Sequence, residues 1–141
     1  MNIVKLLPKE WKELSESAHL ICFNERSEAG SDRIDFALLA LKDESPCAYV
    51  TCREVDSETL YWQYGGAMPN IKDTVNSYKA YESLTGFCRE MGYIRITTLV
   101  KNTNIVMLKF AMKIGYRIIG IRYSDGEIYL EHCLELKENK I

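Results

Sequence analysis

The stretch from Lys101 to Tyr116 constrains the fold most. It runs Lys-Asn-Thr-Asn, then a mostly apolar block from Ile105 to Lys113, then Ile114-Gly115-Tyr116. Asn102 or Asn104 can accept a hydrogen bond from the free N–H groups of a first helical turn. Gly115 supplies the left-handed residue that ends such a helix. Ile105, Leu108 and Met112 make one stripe, Phe110 and Ile114 a second, and the charges are Lys109 and Lys113. The helix is therefore expected to be covered on both flanks. A strand follows at once, Tyr116 to Tyr123, then Ser124-Asp125-Gly126 and a second strand, Glu127 to Leu136. Asp-Gly between two alternating segments is a strong hairpin signal. A covered helix handed straight to a hairpin points to an α/β layered arrangement.

The preceding chain supplies the other layers. Asn2 to Leu7 reads as a short strand, and Pro8 suits the first turn of a helix, where its missing N–H costs nothing. Trp11, Leu14, Ala18 and Cys22 recur at helical spacing, so a helix is predicted from Pro8 to Phe23, followed by a polar loop, Asn24 to Asp32. Arg33 to Lys42 places Ile34, Phe36, Leu38 and Ala40 on one face and Leu39 and Leu41 on the other, a strand covered on both sides. Turns at Asp43–Pro46 and Asp56–Glu58 separate it from strands at Cys47–Glu54 and Thr59–Tyr64, completing an antiparallel meander. Gly65-Gly66-Ala67-Met68-Pro69-Asn70 breaks the pattern. A helix from about Asp73 to Met91 carries Val75, Tyr78, Tyr81, Leu84, Cys88 and Met91 at helical period, and Gly92 ends it. Tyr93 to Val100 is a strand with Ile94, Ile96, Thr98 and Val100 facing one way.

Composition sets bounds on this plan. A chain of 141 residues suits one domain with a hydrophobic core of its own. A net charge of −2 gives no bulk attraction to nucleic acid or to an anionic membrane, so neither is an expected partner. No apolar run reaches the roughly 20 residues of a membrane span, and Met1–Leu7 is too short for a signal peptide. The five cysteines (22, 47, 52, 88 and 133) are scattered, and no histidine or second cysteine pair completes a zinc set. They read as structural thiols in a reducing compartment, with the cytoplasm as default and no metal site.

Asn104, the apolar residues after it and Lys113-Ile114-Gly115-Tyr116 resemble the second half of the pattern of the GNAT (Gcn5-related N-acetyltransferase) superfamily, in which Asn begins a helix ending in Lys-x-Gly-Phe. The order of elements matches that fold along nearly the whole chain. The resemblance implies a mixed, mostly antiparallel sheet of about seven strands with about three helices on both faces. One helix and a loop stand where that family usually has two helices, which implies a reduced or more open acceptor region. It implies acetyl-CoA as acyl donor and a small-molecule or peptide amine as acceptor. Counting back from Gly92, its pyrophosphate motif falls on Lys72-Asp73-Thr74-Val75-Asn76-Ser77. Lys72 and the N–H groups of Thr74, Val75, Asn76 and Ser77 would hold the pyrophosphate at a helix N-terminus. Val75 stands where the family has glycine, and Asp73 can equally be an ordinary first-turn acid. Tyr64 and Gly65 would lie beside the thioester, although Gly65-Gly66 also reads as a plain loop or a bulge. Asn104 would contact the pantetheine arm, and it also reads as a helix cap.

Transfer to an amine needs a base for the amine proton and an acid for the leaving thiolate. The family often uses a tyrosine four residues before the motif glycine, and here that position is Ala111. Tyr116, with Tyr78 or Tyr123 as substitutes, is the candidate acid; Glu54 and Glu131, with Asp56, are candidate bases. His132 and His19 read as structural histidines. Tyr61, Trp62 and Tyr64 could stack on nucleic-acid bases, but no interleaved basic residues support this, and packing against helices accounts for them. The leading reading is direct acetyl transfer from acetyl-CoA to a primary amine. The alternative, grounded on Val75, Ala111 and the shortened acceptor region, is an inactive module of the same fold, such as those encoded by tailed bacteriophages. GNAT-like sheets often pair through their last strands, which makes Glu127–Leu136 a candidate dimer edge.

Overall fold

Every strand expected from the sequence joins a single seven-stranded sheet in the computed structural model, which describes residues 1–14, 33–67 and 74–136. In chain order the elements are β1 (Asn2–Leu6), α1 (8–14), β2 (Phe36–Lys42), β3 (Ser45–Glu54), β4 (Thr59–Ala67), α2 (Thr74–Glu90), β5 (Arg95–Lys101), α3 (Ile105–Lys113), β6 (Arg117–Ser124) and β7 (Glu127–Glu135). The strands lie in the order β1-β2-β3-β4-β5-β7-β6. All neighbours are antiparallel except β4 and β5. That parallel pair cannot be closed by a tight turn, and α2 lies in the crossover between its strands. The rest of the helix expected to Phe23, with His19 and Cys22, the loop expected over 24–32, Lys72, Asp73 and residues 137–141 fall outside the described residues.

Local chemistry accounts for the element ends. The Leu7 N–H donates to a Glu10 carboxylate oxygen at 2.9 Å, so the first free donor of α1 is satisfied by a side chain three residues on. Gly92 and Gly115 close α2 and α3 at φ 101° and 103°, where a Cβ would be strained. The β6–β7 turn has Asp125 and Gly126 both at positive φ, as a two-residue hairpin of matching twist demands.

The sheet separates two cores. Phe36, Leu38, Ala40, Val50, Cys52, Leu60 and Ile96 pack under Ala80, Leu84 and Cys88 of α2 and Ala111 of α3. On the opposite face Ala37, Leu39 and Tyr49 pack with Ile34 against Trp11 of α1, whose ring stacks on Tyr49 at 4.9 Å. Strand β2 is therefore covered on both sides, as its apolar run requires. Ile34 joins the α1 core rather than the expected face, because it precedes the strand and is not bound by its alternation. Cys47, Cys52, Cys88 and Cys133 are buried free thiols. No helix among the described residues is long and apolar enough to cross a membrane.

Three expectations are corrected. The third meander strand does not stop at Tyr64: Gly65 and Gly66 pair with Val50 and Tyr49, carrying β4 to Ala67. Helix α3 is covered on one side only. Ala111 is buried and Phe110 meets Tyr81 edge-on at 4.9 Å, but Ile105, Val106 and Met112 are 54%, 81% and 64% exposed. Strand β7 is not an edge. It lies between β5 and β6, with Ile96 opposite Leu134 and Ile121 opposite Leu130, so the edges are β6 and β1. A hairpin signal fixes which strands are adjacent but not which of them turns inward.

Candidate functional site

The parallel pair makes the site. Strands β4 and β5 run together only from Thr59 opposite Arg95 to Trp62 opposite Thr98. The Thr98 hydroxyl donates to the Trp62 carbonyl at 2.9 Å at the last rung. Beyond it, β4 stays with β3 and β5 stays with β7, so the two part. A bulge assists: Thr51 faces Tyr64 and Cys52 faces Trp62, which leaves Gln63 unmatched and bends β4. The Tyr64 N–H donates to the Thr51 hydroxyl at 3.1 Å, holding the bulged strand to β3.

On the α2/α3 side the split opens a cleft of about 300 Å³. Trp62, Gln63, Tyr64 and Gly65 form one wall, Thr98 to Lys101 the other, and Tyr81, Asn104, Met107 and Tyr116 close it. Four candidates from separate parts of the sequence, Tyr64, Gly65, Asn104 and Tyr116, thus line one cleft. Asn104 caps α3 as well: its side-chain oxygen accepts from the Met107 N–H at 3.2 Å. Gly65 has a packing reason, since a Cβ there would lie 3.2 Å from the Tyr49 carbonyl oxygen and 3.6 Å from the Tyr81 hydroxyl. Tyr116 is buried, and burial pushes its hydroxyl well above the usual tyrosine range, with Tyr81 adding to the effect. It is therefore a neutral donor at any ordinary pH. His132 packs edge-on against Tyr116; its Nδ1 lies 2.9 Å from the Leu130 carbonyl oxygen, which assigns that nitrogen the proton.

The cleft suits an extended ligand bearing amide groups. Parted strands leave backbone groups unclaimed by a sheet partner, and the missing side chain of Gly65 keeps its wall low. The Gln63 side-chain oxygen is buried with no hydrogen-bond partner among the described residues, an acceptor awaiting a donor. An acyl thioester on an amide-containing arm meets all three conditions.

Of the carboxylate candidates, Glu131 lies toward the other side of the sheet, whereas Glu54 stands opposite Leu60, in a row that faces α2. Glu54 and Glu131 line a second depression, about 480 Å³, with Arg53, Val55, Tyr61, Thr97 and Arg122. Both depressions are lined by Thr98 and Leu99, so they meet at the strand split. Glu131 lies 3.5 Å from the Arg122 guanidinium, and Glu54 accepts from the Tyr93 hydroxyl at 2.9 Å. Burial and that bond to Glu54 push the Tyr93 hydroxyl upward, so Tyr93 keeps its proton. Tyr61, between the charges, is likewise raised by burial.

Other candidates are placed elsewhere. Val75 is 61% exposed, off the buried stripe of α2, and Val75, Asn76 and Ser77 are not among the cleft's lining residues; Thr74 opens α2. Tyr78 borders a small separate hollow with Glu82 and Thr85, and Tyr123 is 77% exposed on β6. Asp56 caps its own turn, accepting from Glu58 and Thr59 at 2.8 Å, which lowers its pKa. Tyr81 escaped the sequence reading because its helical spacing marks it as core. Arg53 and Arg122 escaped because an isolated arginine on a strand carries no motif.

The sequence matches no protein-family profile and no curated protein. Solved structures with the same fold are numerous. The ribosomal-protein-S18-alanine N-acetyltransferase of Escherichia coli superposes with a TM-score of 0.74 at 11% identity, covering 99% of this chain and 96% of that one. An IAA acetyltransferase from Bacillus cereus gives 0.72 at 12% identity, over 95% and 98%. An aminoglycoside 6'-N-acetyltransferase complexed with coenzyme A gives 0.69 at 11% identity over the full length of both chains. With a mixed seven-stranded sheet split at its one parallel pair, the chain has the GNAT acetyltransferase fold.

Proposed function

We propose that this protein is an acetyl-CoA-dependent N-acetyltransferase, a single domain that transfers the acetyl group to a primary amine. The observation that carries the reading is the cleft where β4 and β5 part, with Tyr64, Gly65, Asn104 and Tyr116 converging on it. Acetyl-CoA supplies an activated thioester. The stretch of β4 at Tyr64 and Gly65 beyond the last rung with β5, with Asn104, would hold the pantetheine arm, and Lys72 with the first-turn N–H groups of α2 (Thr74 to Ser77) would meet the pyrophosphate. In the overall reaction a C–N bond to the acetyl carbon forms, the C–S bond breaks, and the amine loses a proton. Glu131 would take that proton, since it stands opposite Leu99 at the split and lines the depression there; Glu54, which borders the same depression from the end of β3 and accepts from Tyr93, is the second candidate. Tyr116, kept protonated by burial, would donate to the leaving thiolate.

The buried free thiols support a reducing compartment, the cytoplasm, as the working location. Any pairing of two copies through the sheet belongs to β6 or β1, because β7 is interior. Calorimetric titration with acetyl-CoA tests the central reading. Saturable binding to the wild type that weakens in Gly65→Val and Lys72→Glu is the expected result. Absence of heat at millimolar acetyl-CoA overturns it and leaves a fold kept without its donor.

A further inference from the structure

The depression on the α1 side of the split has a charge pattern that narrows the acceptor. Arg53, Tyr61 and Thr97 lie in one row across β3, β4 and β5. Leu99 and Glu131 form a neighbouring row at the split, and Arg122 reaches in from β6 to Glu131. The lining holds two arginines and two glutamates, so it is neither an acidic bowl for a polycation nor a basic one for a polyanion. The four charges are not equivalent. Arg122 is spent on Glu131, and Glu54 already receives the Tyr93 hydroxyl. Arg53 forms no ion pair among the described residues, although it faces the same depression.

We propose that the acceptor is an amine that also bears a carboxylate, a free amino acid in chemical class, with Arg53 as the anchor for the carboxylate. A guanidinium offers a planar pair of donors matching the two carboxylate oxygens. The acceptor's ammonium then lies toward Glu131 and the split, where the acyl donor is reached through Thr98 and Leu99. Three strand spacings, about 14 Å, separate β3 from β7. Arg53 and Glu131 both act electrostatically on Tyr61, which lies between them, so the two charges border one space. The volume agrees, being within the roughly 300–1,000 Å³ range of small-molecule sites. A polyamine or an amino sugar offers Arg53 only like charge or nothing, and would leave its cation unpaired in the bound complex.

This inference rests on the acetyltransferase reading, and its test separates the two. Amino acids are paired with the amines that lack the carboxyl group, such as phenylalanine with phenethylamine and lysine with cadaverine. Each pair is measured by acetyl-CoA-dependent thiol release and, independently of turnover, by direct titration. The expected result is a preference of about tenfold or more for the carboxylate-bearing member of at least one pair. It should disappear in Arg53→Gln while acetyl-CoA affinity stays unchanged. Equal treatment of every pair by the wild type, or a preference that survives Arg53→Gln, overturns the assignment. A pairwise preference in direct titration without acetyl-CoA binding would sink the acetyltransferase reading and leave the ligand class standing.

Discussion

The two depressions share Thr98 and Leu99 yet have opposite chemistry. The cleft on the α2/α3 side is walled by Trp62, Tyr81 and Tyr116, side chains that also belong to the main core or pack on it. The depression on the α1 side is lined by charges at exposed or half-exposed positions. Shape on the first side is therefore fixed by the same packing that holds the fold, whereas the second is bordered by charged side chains that belong to neither core. A substitution in the cleft should be felt first as stability. One in the depression should be felt first as specificity.

The strongest test of that contrast is Trp62→Ala, which removes a nearly buried ring that meets Tyr81 at 6.1 Å. A loss of about 3–5 kcal/mol is expected in urea unfolding; a loss below about 1 kcal/mol would mean the cleft wall is not core. Gly115→Ala forces a Cβ into φ 103° just before Tyr116 and should cost about 1–2 kcal/mol. Its acetyl-CoA affinity should fall as well, because the hydroxyl of Tyr116 is displaced.

Asn104→Ala removes the α3 cap and should cost about 1 kcal/mol in the same assay. A further loss of acetyl-CoA affinity beyond the fraction unfolded would separate a ligand contact from capping. Alkaline pH sharpens the comparison from the buried side. Burial pushes the Cys88 thiol from 9.0 up to about 12. A thiol raised in the folded state contributes stability that is full below pH 9 and is lost as pH rises from 9 toward 12. Stability should therefore fall over that window, and fall less steeply in Cys88→Ala. The smallest effect is expected at Arg53→Gln, within about 0.5 kcal/mol of wild type, because the residue is exposed. A larger loss would show that the depression is also structural.

The same contrast explains what could be read in the sequence. Periodicity exposed the strands of the meander, the double covering of β2 and the Asp125-Gly126 hairpin, because each is a local rule of alternation or φ. Together with the resemblance it placed Tyr64, Gly65 and Asn104 as candidates, and Tyr116 as a stand-in for the tyrosine missing at Ala111, and the four share a cleft. It could not see that β7 lies inside β6, since two alternating strands look alike until one of them is paired on both sides. It over-covered α3 because apolar content was read as burial, and a short helix at the margin of a layer leaves Val106 and Met112 in water. Arg53 was invisible because its interest lies in the ion pair it lacks among the described residues, and that is a property of the surface around it.

The single parallel rung set between β4 and β5 also bears on the order of assembly. Thr59 and Arg95 are thirty-six residues apart, while the other strands near the split are held by hairpins or longer antiparallel ladders. Local pairings close cheaply, and a distant parallel one must wait for its crossover helix to dock. The chain is thus expected to form two sheet halves, β1 to β4 and β5 to β7, before the seam between them closes. That seam is where both depressions meet, so the machinery should be completed last and open first. In native-state hydrogen exchange, amides on the β4–β5 rungs should exchange through openings smaller than global unfolding, and ligand binding should slow them before it slows any hairpin.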